Sequence, residues 1–149
     1  MKNFLLLIWL VVIFSCKKKE PFKNNSFYDK AKVCLTTNNS DSAFYYFNMA
    51  KNEYFKINDS IGTAKSLVNM AIIQSDHGDF YGAIETSLEA NRHLKKKQDS
   101  IVSSTLASSY NCIAIASHFL KDYHNAIDYH FKALKYSNDI ITNWYTTII

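Results

Sequence analysis

The chain has 149 residues, enough for one domain with a real core, and 15% of them are aromatic and able to fill it. Three glycines and one proline argue against an all-β or low-complexity chain. The formal charge of +4 lies wholly in the first 23 residues, where five lysines face one glutamate; residues 24–149 balance twelve basic against twelve acidic groups, which leaves no footprint for nucleic acid.

Residues 1–16 have the parts of a secretory signal: Lys2 near the start, an apolar run from Phe4 to Phe14, then Ser15 and Cys16. Eleven apolar residues fall well short of the roughly 20 that span a bilayer. Ile13-Phe14-Ser15-Cys16 resembles a bacterial lipobox, in which an aliphatic residue at −3 and a small one at −1 precede the lipidated cysteine. Phe14 at −2 is larger than the residue usual there. The resemblance implies acylation of Cys16, a lipid anchor and a place in the bacterial cell envelope, facing the periplasm or the exterior. The same residues also fit an uncleaved anchor or a plain signal with an incidental cysteine. Residues 17–25, Lys-Lys-Lys-Glu-Pro-Phe-Lys-Asn-Asn, have no apolar period and read as a tether, either solvated or lying against anionic head groups.

From Ser26 to Ile149 the periodicity predicts helix after helix. The first pair runs from Phe27 to about Thr37 and from Asp41 to about Ile57, with Asn38, Asn39 and Ser40 as turn and cap between them. In the next pair Leu67, Met70, Ala71 and Gln74 share one helical stripe, and Phe80, Ala83, Ile84, Ser87, Leu88 and Asn91 share another. Gly78 suits a left-handed helix end, and Asp79 a cap for the helix that follows. Ala71, Ala83 and Ala90 let the two helices approach closely.

The chain also repeats. Ala43, Phe47 and Ala50 recur as Ala83, Ser87 and Ala90, 40 residues on, and again as Ala126, His130 and Ala133, 43 further. Asp59-Ser60-Ile61, Asp99-Ser100-Ile101 and Asp139-Ile140-Ile141 recur at intervals of 40, each placed to cap the first helix of a unit. The three extra residues of the third unit then fall between Ile101 and Tyr110 and lengthen its first helix by about one turn. Lys30 stands where the first unit should carry a large apolar residue.

The pattern Leu67, Met70, Ala71, Gly78-Asp79-Phe80, Ala83 and Ala90, echoed by Tyr110, Ile113, Ala114, Asp122-Tyr123, Ala126 and Ala133, resembles the tetratricopeptide repeat (TPR). The resemblance covers about residues 26–137. The period exceeds the usual 34 residues and is closer to long-helix variants such as those of kinesin light chains and bacterial peptide-sensing regulators. It implies an all-α fold, an α-solenoid of antiparallel helix pairs, with about three units and an incomplete fourth starting at Asp139. Because residues 140–149 end without a capping face, the expectation is a fragment of a longer protein or an end covered by a partner.

Little here points to chemistry. His124 and Asp128 lie four apart on one helix, with His130 following, but no third or fourth metal ligand is placed. Cys34 and Cys112 are a whole unit apart, too far for a disulfide, and read as free thiols. No nucleophile constellation or phosphate loop stands out, so neither enzyme activity nor a cofactor is expected.

In the resembling family the first helix of each unit lines a concave groove. Carried onto matching positions, that implies Lys65, Val68, Asn69, Ile72, Ser75 and Asp76 from the second unit. The third unit supplies Ser108, Asn111, Cys112, Ile115, His118 and Phe119. Asn69 and Asn111 would hydrogen-bond an extended backbone, and Ile72, Ile115 and Phe119 would receive apolar side chains. Lys65 alone is basic, so the basic set that clamps a terminal carboxylate is incomplete. Two functions remain open: a membrane-anchored adaptor binding a protein or peptide, or the extracytoplasmic sensor region of a longer histidine kinase or helix-turn-helix regulator.

Overall fold

A computed structural model describes residues 24–94 and 99–148, with side chains as far as residue 138. Among the described residues six helices follow one another: α1 (Ser26–Thr36), α2 (Ser40–Lys56), α3 (Ser60–Asp76), α4 (Phe80–His93), α5 (Ser100–Phe119) and α6 (Tyr123–Ile148). Each packs on the next, and α3 also packs on α5. Among the described residues there is no strand. The fold is therefore all-α and solenoid-like, with local contacts and no distant closure. The signal segment and most of the tether lie outside the described residues. Asn25, which composition assigns to the tether, instead caps α1 and donates from Nδ2 to Glu53 Oε2 at 2.9 Å, tying the start of α1 to the end of α2.

Four of the five junctions are one device. In each, a single residue takes a left-handed conformation: Asn38 (φ 53°), Asn58 (φ 56°), Gly78 (φ 81°) and Lys121 (φ 63°). The residue after it turns its amide back to the carbonyl five positions earlier: Asn39 to Cys34, Asp59 to Tyr54, Asp79 to Gln74, Asp122 to Ser117, at 2.8–2.9 Å. Those bonds satisfy carbonyls that a helix end would leave orphaned. That same Asn or Asp then caps the next helix: Asn39 accepts from Ser42 N, Asp59 from Ile61 N and Gly62 N, Asp79 from Gly82 N, and Asp122 from Asn125 N. One dipeptide thus stops a helix and starts its antiparallel neighbour. At the remaining junction Asp99 caps α5 through Ile101 N.

The expected third-unit insertion is found where the spacing puts it. Helix α5 has 20 residues against 17 in α3, and both begin directly after their aspartate. The expected fourth unit is corrected: α6 runs for 26 residues straight through Asp139 to Ile148. Asn138-Asp139 repeats the Asn58-Asp59 turn signal, but such a cap contributes only about 1 kcal/mol. The helical backbone ladder continues through that signal without a break.

Packing explains the alanines. Ala43, Ala50, Ala71, Ala83 and Ala90 are fully buried, where a larger side chain would hold the helices apart. Around α1–α3 the core is Tyr28, Phe47, Tyr54, Met70 and Ile73, with the Tyr28 ring set edge-on to Phe47 and to Tyr54 at 5.3 and 6.3 Å. The Tyr54 ring fills the space left by the missing side chain of Gly62. One unit later the equivalent pair is Leu94 and Val102, two medium residues in one buried cluster, which also takes in Leu67 and Leu106. A large residue against a glycine in one unit is thus replaced by two medium residues in the next. Lys30 does not disturb the first unit, since it lies at the surface with its ammonium 5.6 Å from the centre of the Phe27 ring and 5.9 Å from that of Tyr46.

Two predictions follow from this packing. A methyl group added at Gly78 meets nothing within 4 Å, so Gly78→Ala isolates the cost of φ 81° and should destabilise by about 1 kcal/mol, while Lys121→Gly should stabilise by a similar amount. Urea unfolding followed by circular dichroism checks the pair; equal midpoints for all three proteins would refute the strain. Burial, ahead of any charge effect, raises the pKa of Tyr28, Tyr54 and Tyr110 above the ordinary value of 10. In the unfolded chain these phenols ionise near pH 10, so their contribution is complete below that pH and is lost as pH rises through it. The urea midpoint should hold to about pH 9 and then fall, less steeply in Tyr54→Phe; a midpoint unchanged to about pH 11 would contradict the burial.

Candidate functional site

Of the first helices of the three units, α3 and α5 pack on one another, and Tyr28 of α1 meets Asn69 and Lys65 of α3. Between α3 and α5 lies a depression of about 160 Å³ lined by Lys65, Val68, Asn69, Ile72, Ser104, Thr105 and Ser108. A shallower one of about 410 Å³ adjoins it through Ser108 and is lined by Ala107, Asn111, His130, Ala133, Leu134 and Ser137. Together they form a trough crossing from α3 to α6.

The trough's polar groups are partly committed. Asn69 donates through Nδ2 to the Lys65 carbonyl at 2.8 Å and to the Tyr28 hydroxyl at 3.1 Å. Its donor end is spent, which leaves the amide oxygen as the end that can accept from a ligand. Thr105 and Ser104 turn their hydroxyl groups back to the Ile101 carbonyl at 2.7 and 3.0 Å. They offer lone pairs more readily than protons. Lys65 lies with its ammonium 5.7 Å from the centre of the Tyr28 ring. Burial, and secondarily Lys32 on α1, holds its pKa below the ordinary lysine range. This corner is positive and partly desolvated, so it favours an anionic or carbonyl-bearing group.

The residues named from the sequence fall in different places. Lys65, Asn69 and Ile72 line the first depression and Asn111 the second. Ile115 is partly exposed one unit beyond Ile72, and Asp76 is exposed near the end of α3. Phe119 stacks on Phe80 with ring centres 4.9 Å apart, and His118 sits edge-on to Tyr123 at 5.5 Å. These two belong to an aromatic cluster at the α5–α6 turn and line neither depression. Cys112 is buried among Ala71, Ala83 and Ala116, and burial raises its thiol pKa. It is a packing residue, and Cys34 and Cys112 are both free thiols.

Sequence reasoning missed the contribution of the first unit. Tyr28 and Lys32 stand 40 residues before Val68 and Ile72, so the repeat that placed the groove in the second unit could have found them. It also missed Ser104 and Thr105, which lie in the added turn at the start of α5.

His124 Nε2 and Asp128 Oδ2 are 3.7 Å apart and well exposed. Among the described residues no three candidate ligands come together to hold a metal, and no helix is long and apolar enough to cross a membrane. No protein-family model matches the chain, and no curated protein or solved structure matches it either.

Proposed function

We propose that this chain is a non-catalytic, TPR-like interaction module that takes an extended segment of a protein or peptide across the trough, and that Cys16 tethers it to a bacterial membrane through lipid. The observation that carries the first half is the pairing of a fixed amide oxygen, that of Asn69, with an apolar floor of Val68 and Ile72. An extended backbone presents amide hydrogens at regular intervals with side chains alternating between them, and a polar rail beside an apolar floor suits that alternation. The positive corner at Lys65 and Lys32 favours a partner with an acidic or carbonyl-rich end there. Asn111, one unit further along, continues the rail. The second half rests on the sequence of residues 1–16 alone, with the lysines of residues 17–23 next to an anionic surface.

Each rail hydrogen bond contributes about 1 kcal/mol, so Asn69→Ala with Asn111→Ala should weaken binding to the best sequence on an extended-peptide array by about tenfold to thirtyfold. The helical circular dichroism should not change. Unaltered affinity in the double variant would remove the groove assignment. Anchoring has its own readout: Cys16→Ser should abolish incorporation of labelled fatty acid in a bacterial host and release the chain from the membrane fraction. Lipid incorporated equally by both proteins would end the lipoprotein reading.

A further inference from the structure

Helix termini gather at one end of the row. Helix α1 starts there and α2 ends there, since Asn25 at the head of α1 donates to Glu53 in the last turn of α2. Antiparallel succession puts the start of α3, the end of α4 and the start of α5 at the same end. The Phe55 ring, edge-on to His93 with ring centres 6.1 Å apart, joins the last turns of α2 and α4. The turns around Asn38, Gly78 and Lys121 lie at the opposite end.

The rim of the first end is apolar and basic. Phe55 is 63% exposed and Ile57 53%, with exposed Lys56 between them in sequence. Arg92, beside His93, is exposed in the last turn of α4. At the positions of Phe55, Lys56 and Ile57 one repeat later, the sequence reads Lys95-Lys96-Lys97. The carboxylates here are engaged: Glu53 accepts from Asn25, and Asp59 and Asp99 cap α3 and α5, while Asp29 is followed by Lys30. At the opposite end Asp41, Asp76, Asp79 and Asp122 are all exposed, and Lys121 is the lysine set against them.

The tether says what meets this end. It joins the fold at Asn25, and nine residue steps separate Asn25 from Cys16, at most about 30 Å when fully extended. Residues 17–23 add four lysines against one glutamate. With the Asn25 end toward the membrane the tether stays slack. With the opposite end toward it, the 17 residues of α2, about 25 Å of helix, would stand between Asn25 and the surface, and the tether would be drawn almost straight. Four exposed carboxylates would also face anionic headgroups. Length and charge select the same end.

Resting on the lipid anchor proposed at Cys16, we infer that the row of helices stands end-on upon an anionic membrane, with Phe55 and Ile57 in the headgroup–acyl boundary and Lys56 and Arg92 against the headgroups. Large apolar side chains flanked by basic ones suit that boundary, where the ring or aliphatic body is buried and the charge stays wet. The contact turns a flexible tether into a fixed orientation. The trough, which crosses from α3 to α6, then opens sideways, and a partner reaches it from the aqueous phase.

The test uses the acylated full chain, made in a bacterial host and placed in phosphatidylcholine vesicles with about one-third phosphatidylglycerol. Trp9 leaves with the signal and Trp144→Phe removes the other tryptophan, so Phe55→Trp reports this end and Tyr81→Trp, at the start of α4, the opposite one. Brominated acyl chains should quench the Phe55→Trp protein about twofold or more and leave the Tyr81→Trp protein unchanged. Lys56→Glu with Arg92→Glu should relieve the quenching while the protein still floats with the vesicles; quenching that survives the charge reversal would overturn the anionic contact. A floating Phe55→Trp protein that is not quenched, or equal quenching at both sites, would overturn the orientation and leave the anchor standing. A chain without acyl mass that does not float would refute the lipid reading, and the orientation with it. Ile57→Trp repeats the measurement without disturbing the Phe55–His93 contact.

Discussion

A left-handed residue followed by an Asn or Asp cap is the constraint on which the structure depends. A helix that ends in water exposes carbonyl groups, and one that begins there exposes amides. Here one dipeptide answers both needs, and it does so at Asn38-Asn39, Asn58-Asp59, Gly78-Asp79 and Lys121-Asp122. Because the turn is short and its geometry recurs, successive helices have no option but to run antiparallel and side by side. The stacking order, the packing of α3 on α5 and the trough that crosses from α3 to α6 all follow from it.

Close packing joins each helix to the next. The alanines set the approach distance inside each unit, and the Tyr54–Gly62 contact and the Leu94–Val102 pair fill equivalent space between units. Such a structure has no natural end. The second unit offers the third an apolar stripe, Phe80 and Ile84 of α4 meeting Cys112 and Ala116 of α5. On α6 Tyr123, Ile127, Phe131 and Leu134 lie exposed, at positions equivalent by the repeat to Phe80, Ile84, Leu88 and Asn91 of α4.

Much of the trough was legible because the repeat fixes which helix face each position occupies. Lys65, Asn69, Ile72 and Asn111 line it on that basis. Cys112 and Phe119 do not, although the same periodicity named them. Small and aromatic side chains are drawn to the nearest helix contact: Cys112 packs with Ala71 of α3 and Ala83 of α4, and Phe119 stacks on Phe80 of α4. The state of Asn69 was also hidden. A sequence shows that an amide has a donor and an acceptor, but only the position of the Tyr28 hydroxyl, 41 residues away, shows which end is already used.

The sequence by itself determined the helices, their caps, the 40-residue and 43-residue registers and the longer α5, because those rest on periodicity and on local backbone chemistry within a few residues. It also marked Gly78 as left-handed, since glycine tolerates that conformation at little cost. Tertiary structure decided the matters in which small energies compete over distance. Asn38, Asn58 and Lys121 take up the same left-handed turn despite its cost, because the packed helices on either side over-determine it. Asn138-Asp139 carries the same signal and does not turn: α6 runs straight through it. A cap and a turn residue propose where a helix ends; burial of the next helix decides whether it does.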